Sequence, residues 1–206
     1  MNLILPIEPN QEAEPGTQYP FAERLQRMTE DEFFAFYQAN SQLKFERRAD
    51  GTITYMALTG GDTGRRNSEL VADLTIWNRQ ARLGRVFDSS TGFRLPSGAV
   101  RSPDAAWVSS AAWETLTAEQ RAKFPPLCPE FVVELLSASD SLSDLMQKAQ
   151  EFLNNGCRLV WLIVPKTETA HLYRADGSVS VTKSFDESLS GEDVLPGFSL
   201  ALATLR

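Results

Sequence analysis

Glu134 is a charged residue in the middle of a largely apolar segment, residues 129–138, which is typical of a strand buried on both faces. Moving a carboxylate into an apolar interior is costly unless the charge is paired or binds a metal ion. Asp104 opens a second apolar run, Ala105–Val108, and Lys148 lies at the border of an amphipathic helix. Two carboxylates on strands and a nearby lysine are the components of a magnesium-dependent site that cleaves phosphodiesters.

Each of these groups has a role in such a site. Asp104 and Glu134 supply the carboxylate oxygens that Mg²⁺ prefers, and the alternation of the strand places the backbone carbonyl of Leu135 beside the metal. Lys148 would orient or help to deprotonate the attacking water and stabilise charge in the transition state. Simpler roles stay open: a turn residue after proline for Asp104, a structural ion pair for Glu134, and a surface lysine for Lys148.

The composition predicts one globular domain. Of the 206 residues, 42% are hydrophobic and 23% charged, which is an ordinary globular mixture. Residues 1–28, rich in proline and acidic residues, are predicted to form an extended arm, and residues 29–206 a single nuclease-like domain. The sequence has neither a long apolar run nor the features of a signal peptide, so we expect a soluble, cytoplasmic protein without membrane contact.

Charge and rare residues exclude several classes of site. A net charge of −7 argues against a protein that coats nucleic acid non-specifically. Arginines are nevertheless concentrated between residues 65 and 101, so Arg65, Arg66 and Arg101 are candidates for phosphate contacts, unless they are scattered over a solvated surface. The single histidine, His171, excludes sites that need two imidazoles. Cys128 and Cys157 are expected to be buried thiols without a disulfide.

Periodicity and turn signals predict an α/β fold with a mixed sheet. The Glu134 strand, the helix after it and the next strand form a predicted parallel βαβ unit. The predicted elements are a helix from Thr29 to Asn40, a hairpin of Leu43–Arg48 and Thr52–Leu58, a loop at 59–64, a helix through Leu70 to near Gly84, strands at Arg85–Ser89, Phe93 and Asp104–Val108, a helical connection at Ser110–Lys123, the βαβ unit with Leu142–Leu153 and Leu159–Val164, and a β-meander of Ala170–Arg174 and Val179–Lys183.

An ordered set of motifs resembles the Uma-two family of restriction endonucleases, in the PD-(D/E)XK nuclease superfamily. The set covers roughly residues 30–206. It comprises Phe45-Glu46 before Asp50-Gly51, Arg101–Val108, Pro129–Ser137, Lys148–Gly156, Val160–Ile163 and Asp193–Phe198.

The resemblance implies a restriction-endonuclease-like mixed β-sheet flanked by helices, with an N-terminal hairpin and a C-terminal β-meander. It also implies that Asp104 and Glu134 bind Mg²⁺ or Mn²⁺, with no organic cofactor. Leu136 stands where the superfamily motif has its lysine, so Lys148 would be a relocated lysine. Asn67 stands where the family often has a histidine.

Two further acids, Glu69 and Glu46, resemble accessory acids of some superfamily members, although a surface position is favoured for both. The expected function is a metal-dependent endonuclease acting on DNA, as a homodimer because two symmetric sites can cut both strands. The alternatives are a non-catalytic nuclease-fold module that binds nucleic acid or a protein, and a purely structural set of ion pairs. A nuclease requires the two carboxylates and the Lys148 ammonium to converge on one point open to solvent, away from His171.

Overall fold

A computed structural model describes residue 25 and residues 28–40, 44–56, 58–137 and 141–206. The predicted N-terminal arm, residues 1–28, lies outside these residues apart from Leu25 and Met28. Within the described ranges, every helix is too short or too polar to cross a lipid bilayer.

A six-stranded sheet forms the centre of the fold, as predicted for a mixed α/β protein. Its spatial order is β10-β9-β8-β7-β6-β3, in which only β7 and β8 are parallel among the described pairings. Every residue of β7 and β8 is buried, which explains their unbroken apolar sequences. The strands are β3 (Gly84–Asp88), β6 (Ala105–Ser109), β7 (Phe131–Leu135), β8 (Leu159–Val164), β9 (Thr169–Arg174) and β10 (Val179–Val181).

Helices cover both faces of this sheet. On one face, Leu70 and Leu74 of a helix at Gly61–Ala81 belong to the hydrophobic cluster that also contains Trp107 of β6 and Val133 of β7. On the other face, Ala149 and Phe152 of a helix at Leu142–Asn154 pack against the alternate residues of β7 and β8. This second helix joins β7 to the parallel β8, so the predicted βαβ unit is confirmed.

The other helices are short or lie near the N-terminal side. A helix at Glu30–Ala39 begins at a capping box formed by Thr29 and Glu32, as predicted. The predicted helical connection forms two separate helices, Ser110–Glu114 and Ala118–Ala122. In chain order, the helices are α1 (Glu30–Ala39), α2 (Gly61–Ala81), α3 (Ser110–Glu114), α4 (Ala118–Ala122) and α5 (Leu142–Asn154).

The start of α2 corrects one prediction. Residues 61–64, predicted to be loop, belong to its first turn because Gly61 and Gly64 are tolerated near a helix end that continues into a long amphipathic segment. Its end is formed by Arg82, which adopts a left-handed conformation with φ 58°, ahead of Gly84.

A second sheet brings distant parts of the chain together. The predicted hairpin is present as β1 (Lys44–Arg47) and β2 (Ile53–Met56), and Gly51 supplies the positive φ of 84° in its turn. This hairpin is extended by β5 (Val100–Arg101) and β4 (Phe93–Arg94), because Arg47 pairs with Val100. Glu46 and Arg101 therefore lie on neighbouring strands.

The C-terminal region contains the predicted β-meander and one additional pair of strands. β9 and β10 form the meander beside β8. The additional pair is β11 (Ser188–Ser190) with β12 (Ser199–Ala201), followed by a 3₁₀ helix at Leu202–Leu205. The thiols of Cys128 and Cys157 are free, as predicted, although only Cys157 is fully buried.

Candidate active site

Asp104 directly precedes β6, and Glu134 lies on β7, the antiparallel neighbour of β6 in the central sheet. Ala105 of β6 pairs with Val133 of β7, and continuing this register by one residue places Asp104 opposite Glu134. The backbone N–H of Leu135 donates to Asp104 Oδ2 over 2.8 Å. This bond fixes the Asp104 carboxylate at the end of β7, next to Glu134.

Lys148 connects Glu134 to an acid from the second sheet. Its Nζ atom lies 2.8 Å from Glu134 Oε1 and 2.9 Å from Glu46 Oε1. Glu134 shares the face of β7 that α5 covers, and Lys148 precedes the buried Ala149, so the lysine reaches inward from the border of the helix. The structure thus brings Glu134 and Lys148 together, and it adds Glu46, for which a surface position was favoured.

Glu46 is held by further contacts from β5 and the residue after it. The Ser102 N–H donates to Glu46 Oε1 over 2.7 Å, and the Arg101 guanidinium donates to Glu46 Oε2 over 3.0 Å. Arg101 Nε also donates to Glu151 of α5 over 2.7 Å. Glu151, Arg101, Glu46, Lys148 and Glu134 therefore form a series of alternating charges, which we call the buried charge chain.

Two members of the buried charge chain, Glu151 and Glu46, had only weak signals in the sequence. Glu151 lies three residues after Lys148 and so shares its side of α5, but that spacing is common on solvated helices. Glu46 precedes the hairpin turn, and its burial depends on the short strand β5, which has two residues.

Burial and neighbouring charges shift the proton affinities of these groups. Burial raises the pKa of Glu134 to about 8; Lys148 opposes this shift, whereas the negative charges of Asp104 and Glu46 add to it. Burial also raises the pKa of Glu46, but the positive charges of Lys148 and Arg101 outweigh it, so that pKa is below the ordinary glutamate value. Burial favours neutral Lys148, yet the two glutamates raise its pKa above the ordinary lysine value.

Unsatisfied oxygens mark the region around Asp104. Glu134 Oε1 is buried, and the Lys148 ammonium lies at ion-pair distance from it, 2.8 Å away, without a hydrogen bond of proper geometry from the described residues. Asn67 Nδ2 donates to Asp104 Oδ1 over 3.0 Å, and its own Oδ1 is likewise buried without a hydrogen bond. The other two such atoms in the described ranges are Trp161 Nε1 and the Tyr173 hydroxyl.

This arrangement fits a divalent cation held by few protein ligands. The described residues contain no group of three or more His, Cys, Asp or Glu side chains placed to hold a metal ion. Mg²⁺ is commonly bound by one or two carboxylates together with waters and substrate phosphates, so Asp104 and Glu134 suffice as its carboxylate ligands. Asp104 accepts hydrogen bonds from Asn67 Nδ2 and from the backbone N–H of Leu135, which fix the direction of its carboxylate.

Access to the site is narrower than the sequence suggested. Glu134 is only 5% exposed, and the Lys148 side chain 13%, whereas Asp104 is partly exposed. The expectation that all three groups meet at an open point is therefore corrected: the solvent-accessible side of the cluster is the Asp104 side. His171 lies on β9 and pairs with Leu162, which in turn pairs with Glu134, so His171 is two strands away from Glu134 on the same row of the sheet.

The remaining candidate residues lie outside this cluster or have other contacts. Glu69 is exposed on α2 and points away from the side that carries Asn67. Arg65 and Arg66 donate to backbone oxygens of the C-terminal 3₁₀ segment, including that of Thr204. Arg101 is 6% exposed and contacts two carboxylates, so burial removes it from the candidates for DNA contact.

Comparison with models of known families shows which family this chain belongs to. The Uma2 family model, described as "Putative restriction endonuclease", matches residues 30–203. The chain belongs to the Uma2 family. The match includes every member of the buried charge chain, together with Asp104 and Asn67, and it confirms the resemblance of the sequence motifs to this family.

A solved structure supports the fold of this Uma2 chain. A crystal structure of a "putative nuclease" from Anabaena variabilis ATCC 29413 is similar with a TM-score of 0.67 and 20% identity, over 78% of this chain and 88% of that chain. This similarity confirms the nuclease-like α/β fold. A cryo-EM structure of a DrdV–DNA complex matches with a TM-score of 0.35 and 16% identity, over 58% of this chain and 10% of that chain. No protein with curated annotation matches the chain.

Proposed function

We propose that this Uma2 chain is a metal-dependent endonuclease that hydrolyses phosphodiester bonds in DNA. The observation that carries the proposal is the position of Asp104 opposite Glu134, whose buried Oε1 accepts no hydrogen bond from the described residues while Lys148 lies 2.8 Å away. Buried charge of this kind, beside a partly exposed carboxylate, is typical of a cation site.

Two side-chain carboxylates and one backbone carbonyl would hold Mg²⁺ or Mn²⁺. Asp104 and Glu134 would supply carboxylates, and the backbone carbonyl of Leu135 would supply the third oxygen. The N–H and C=O groups of one strand residue point to the same side, and the Leu135 N–H is directed at Asp104. When bound, a divalent cation polarises a phosphate oxygen and lowers the pKa of water.

Lys148 acts as a fixed positive charge in this proposal. Glu134 and Glu46 keep the ammonium protonated, since they raise its pKa. A protonated lysine cannot accept a proton from water, so of the roles considered for Lys148 we retain charge stabilisation and orientation of the water. Glu46, held by Ser102 and Arg101, positions the ammonium from the opposite side.

DNA contacts are proposed for the N-terminal part of α2. Arg65 and Arg66 precede Asn67, whose side chain contacts Asp104, so they lie at the end of the sheet that carries the carboxylates. Phosphate contacts from such arginines position the duplex without reading its sequence. Cleavage of both strands by two copies of this chain remains part of the proposal.

Plasmid cleavage in Mg²⁺ or Mn²⁺ tests this function. Asp104→Asn and Glu134→Gln remove one negative charge each with little change of shape, and both should abolish nicking. Glu69→Gln, an equivalent change at an exposed acid of α2, should cut like the wild type. Equal cutting by the wild type and both site variants would reject catalysis at this site, as would the absence of cutting under all metal conditions.

A second candidate is a nuclease-fold module that binds nucleic acid or a protein without cutting. The deep burial of Glu134 and the two ion pairs of Lys148 favour this candidate, because they give the site a structural role without a metal. Retarded migration of duplex DNA in gels, unchanged in Glu134→Gln and without any cleavage, would select it.

A further inference from the structure

A pocket of about 300 Å³ lies between α1, α4 and the second sheet, apart from the candidate active site. Its lining includes charged residues from all three of these elements. All but one of them form ion pairs within the lining, and the exception is Arg47, which has no carboxylate at ion-pair distance among the described residues. The pairs are Glu30 with Arg94, and Lys123 with both Asp31 and Glu119.

Arg47 is a buried cation that uses few of its hydrogen-bond donors. The residue is 8% exposed, and its guanidinium lies over the ring of Phe33, 4.3 Å from the ring centroid. Within the described ranges, its side chain makes one long hydrogen bond, 3.4 Å from Nη1 to the carbonyl of Met28. A guanidinium has five N–H donors, and a buried charge is costly unless it is paired. Arg47 can therefore donate to an acceptor that enters the pocket.

The charges around Arg47 favour a ligand with a single negative charge. Burial lowers the pKa of Arg47, and the positive charge of Arg94 adds to this shift, whereas the negative charge of Glu30 opposes it. Arginine nevertheless stays protonated in proteins, so the pocket contains a permanent positive charge. An anion would compensate this charge, but Glu30 would repel a second negative charge on the same ligand.

The remaining lining supplies apolar surface. The rings of Phe34 and Phe124 are partly exposed and pack edge to face, with centroids 5.1 Å apart. Val100 and Pro126 also line the pocket. A volume of about 300 Å³ is at the lower end of the range for small-molecule sites. The pocket therefore fits a compact molecule that has an aromatic or aliphatic body and one charged end.

The pocket and the candidate active site lie on opposite faces of the second sheet. Arg47 follows Glu46 in β1, and successive residues of a strand point to opposite faces. Glu46 contacts Lys148 in the buried charge chain, whereas Arg47 lines the pocket. A DNA duplex cannot enter a cavity of this size, so its phosphates are excluded as the partner of Arg47.

We infer that this pocket binds a small monocarboxylic acid in its ionised form, with the carboxylate on Arg47 and the apolar body against Phe34 and Phe124. The planar guanidinium matches a carboxylate in geometry, and the two groups commonly form a pair of parallel hydrogen bonds. The aromatic rings then cover the part of the ligand that water solvates poorly. This site is separate from the proposed metal ligands and does not depend on DNA cleavage.

Binding of para-fluorophenylacetate to the full-length protein, followed by fluorine NMR, tests this inference. The acid should bind saturably to the wild type. The matched amide, para-fluorophenylacetamide, has the same aromatic body without the charge and should bind about 10-fold more weakly or worse, as expected when a hydrogen bond to a charged group is lost. Inorganic phosphate should displace the acid only poorly, because it has no apolar body and carries more negative charge.

Arg47→Met should also weaken binding of the acid by about 10-fold or more. This change removes an unpaired buried charge, so it should leave the protein folded, which far-ultraviolet circular dichroism checks. Arg48→Met, at the exposed next residue, is the matched control and should bind the acid like the wild type.

Several results would overturn the inference. They are no binding of the acid by the wild type, equal binding of the acid and the amide, displacement of the acid by phosphate at equal concentration, or wild-type binding by Arg47→Met. The comparison of acid and amide uses only the wild type, so it remains decisive if Arg47→Met does not fold. None of these results bears on the proposed cleavage of DNA.

Discussion

The ammonium of Lys148 lies between two glutamates of different sheets, 2.8 Å from Glu134 and 2.9 Å from Glu46. Only one of these acids has a pKa below its ordinary value. Glu46 also contacts Arg101 and the Ser102 N–H, whereas Glu134 lies opposite Asp104 and has a raised pKa. Lys148 and Arg101 therefore stabilise the ionised form of Glu46, whereas Glu134 keeps its proton to higher pH despite its contact with Lys148.

Replacing Lys148 with methionine should strongly destabilise the folded protein. The change keeps the length of the side chain but leaves Glu46 and Glu134 without their shared cation, and breaking a buried ion pair costs about 3–5 kcal/mol. Urea unfolding followed by tryptophan fluorescence measures the loss. Lys123→Met, which removes a lysine paired at the exposed surface, is the control and should leave the unfolding midpoint close to the wild-type value. Similar midpoints for the two variants would show that the buried contacts contribute little.

The stability of the metal-free protein should fall between pH 4.5 and pH 8 because of Glu134. Over this window the unfolded chain releases the proton of this carboxyl, whose ordinary pKa is 4.5, whereas the folded protein keeps it until about pH 8. The unfolded state then binds fewer protons, so rising pH favours unfolding.

Glu134→Gln isolates this contribution from all other titrating groups. Urea unfolding of both proteins in the presence of a chelator should give a wild-type free energy that declines, relative to the variant, from pH 4.5 to pH 8. Below pH 4.5 and above pH 8, the difference in free energy of unfolding between the two proteins should be constant. A constant difference through the window itself would mean that Glu134 is not protonated in the folded state.

Replacing Arg101 alone should destabilise the folded protein more than replacing both Arg101 and Glu151. Arg101→Met leaves two carboxylates without their guanidinium, at a cost of about 3–5 kcal/mol. Adding Glu151→Leu removes one uncompensated charge, so the double variant should recover part of this loss, with a coupling of about 0.5–3 kcal/mol.

Equilibrium unfolding of the two single variants and the double variant measures the coupling. Arg94→Met, which breaks the more exposed pair with Glu30, should cost under about 1 kcal/mol. Additive effects at Arg101 and Glu151 would contradict the interaction seen in the buried charge chain.

A lysine at position 136 should partly replace Lys148 in the proposed cleavage reaction. Leu136 lies two residues after Glu134 and packs on the same side as α5, so an ammonium there can approach the Glu134 carboxylate. A positioned donor contributes about 10²–10³ in rate, so Leu136→Lys with Lys148→Met should cut plasmid DNA faster than Lys148→Met alone. Leu153→Lys in the same background is the control, since Leu153 is equally half-buried but lies on α5. Equal cleavage rates for both double variants would mean that a lysine at position 136 does not reach the Glu134 carboxylate.

Much of the fold could be predicted from the sequence because its signals are local. The uninterrupted apolar runs of β7 and β8 and the periodicity of α5 require a buried βαβ unit, and Glu134 stands out within it. The first turn of α2 was missed because glycine opposes helix locally, while packing of the long helix overrides that preference. The partners of Lys148 were harder to predict, since Glu46 is buried only through pairing of β1 with β5. That contact joins residues far apart in sequence, and no short pattern encodes it.

The two ion pairs of Lys148, with Glu46 and Glu134, have a consequence for any shortened version of this protein. The hairpin of β1 and β2 looks removable, because it precedes the central sheet and belongs to another one. Yet the hairpin places Glu46 in the interior, where it forms ion pairs with Arg101 and Lys148. A fragment that starts after the hairpin would retain Asp104 and Glu134 but would lose the contact that holds Lys148 from its other side, so the geometry of the proposed site depends on the hairpin as well as on the central sheet.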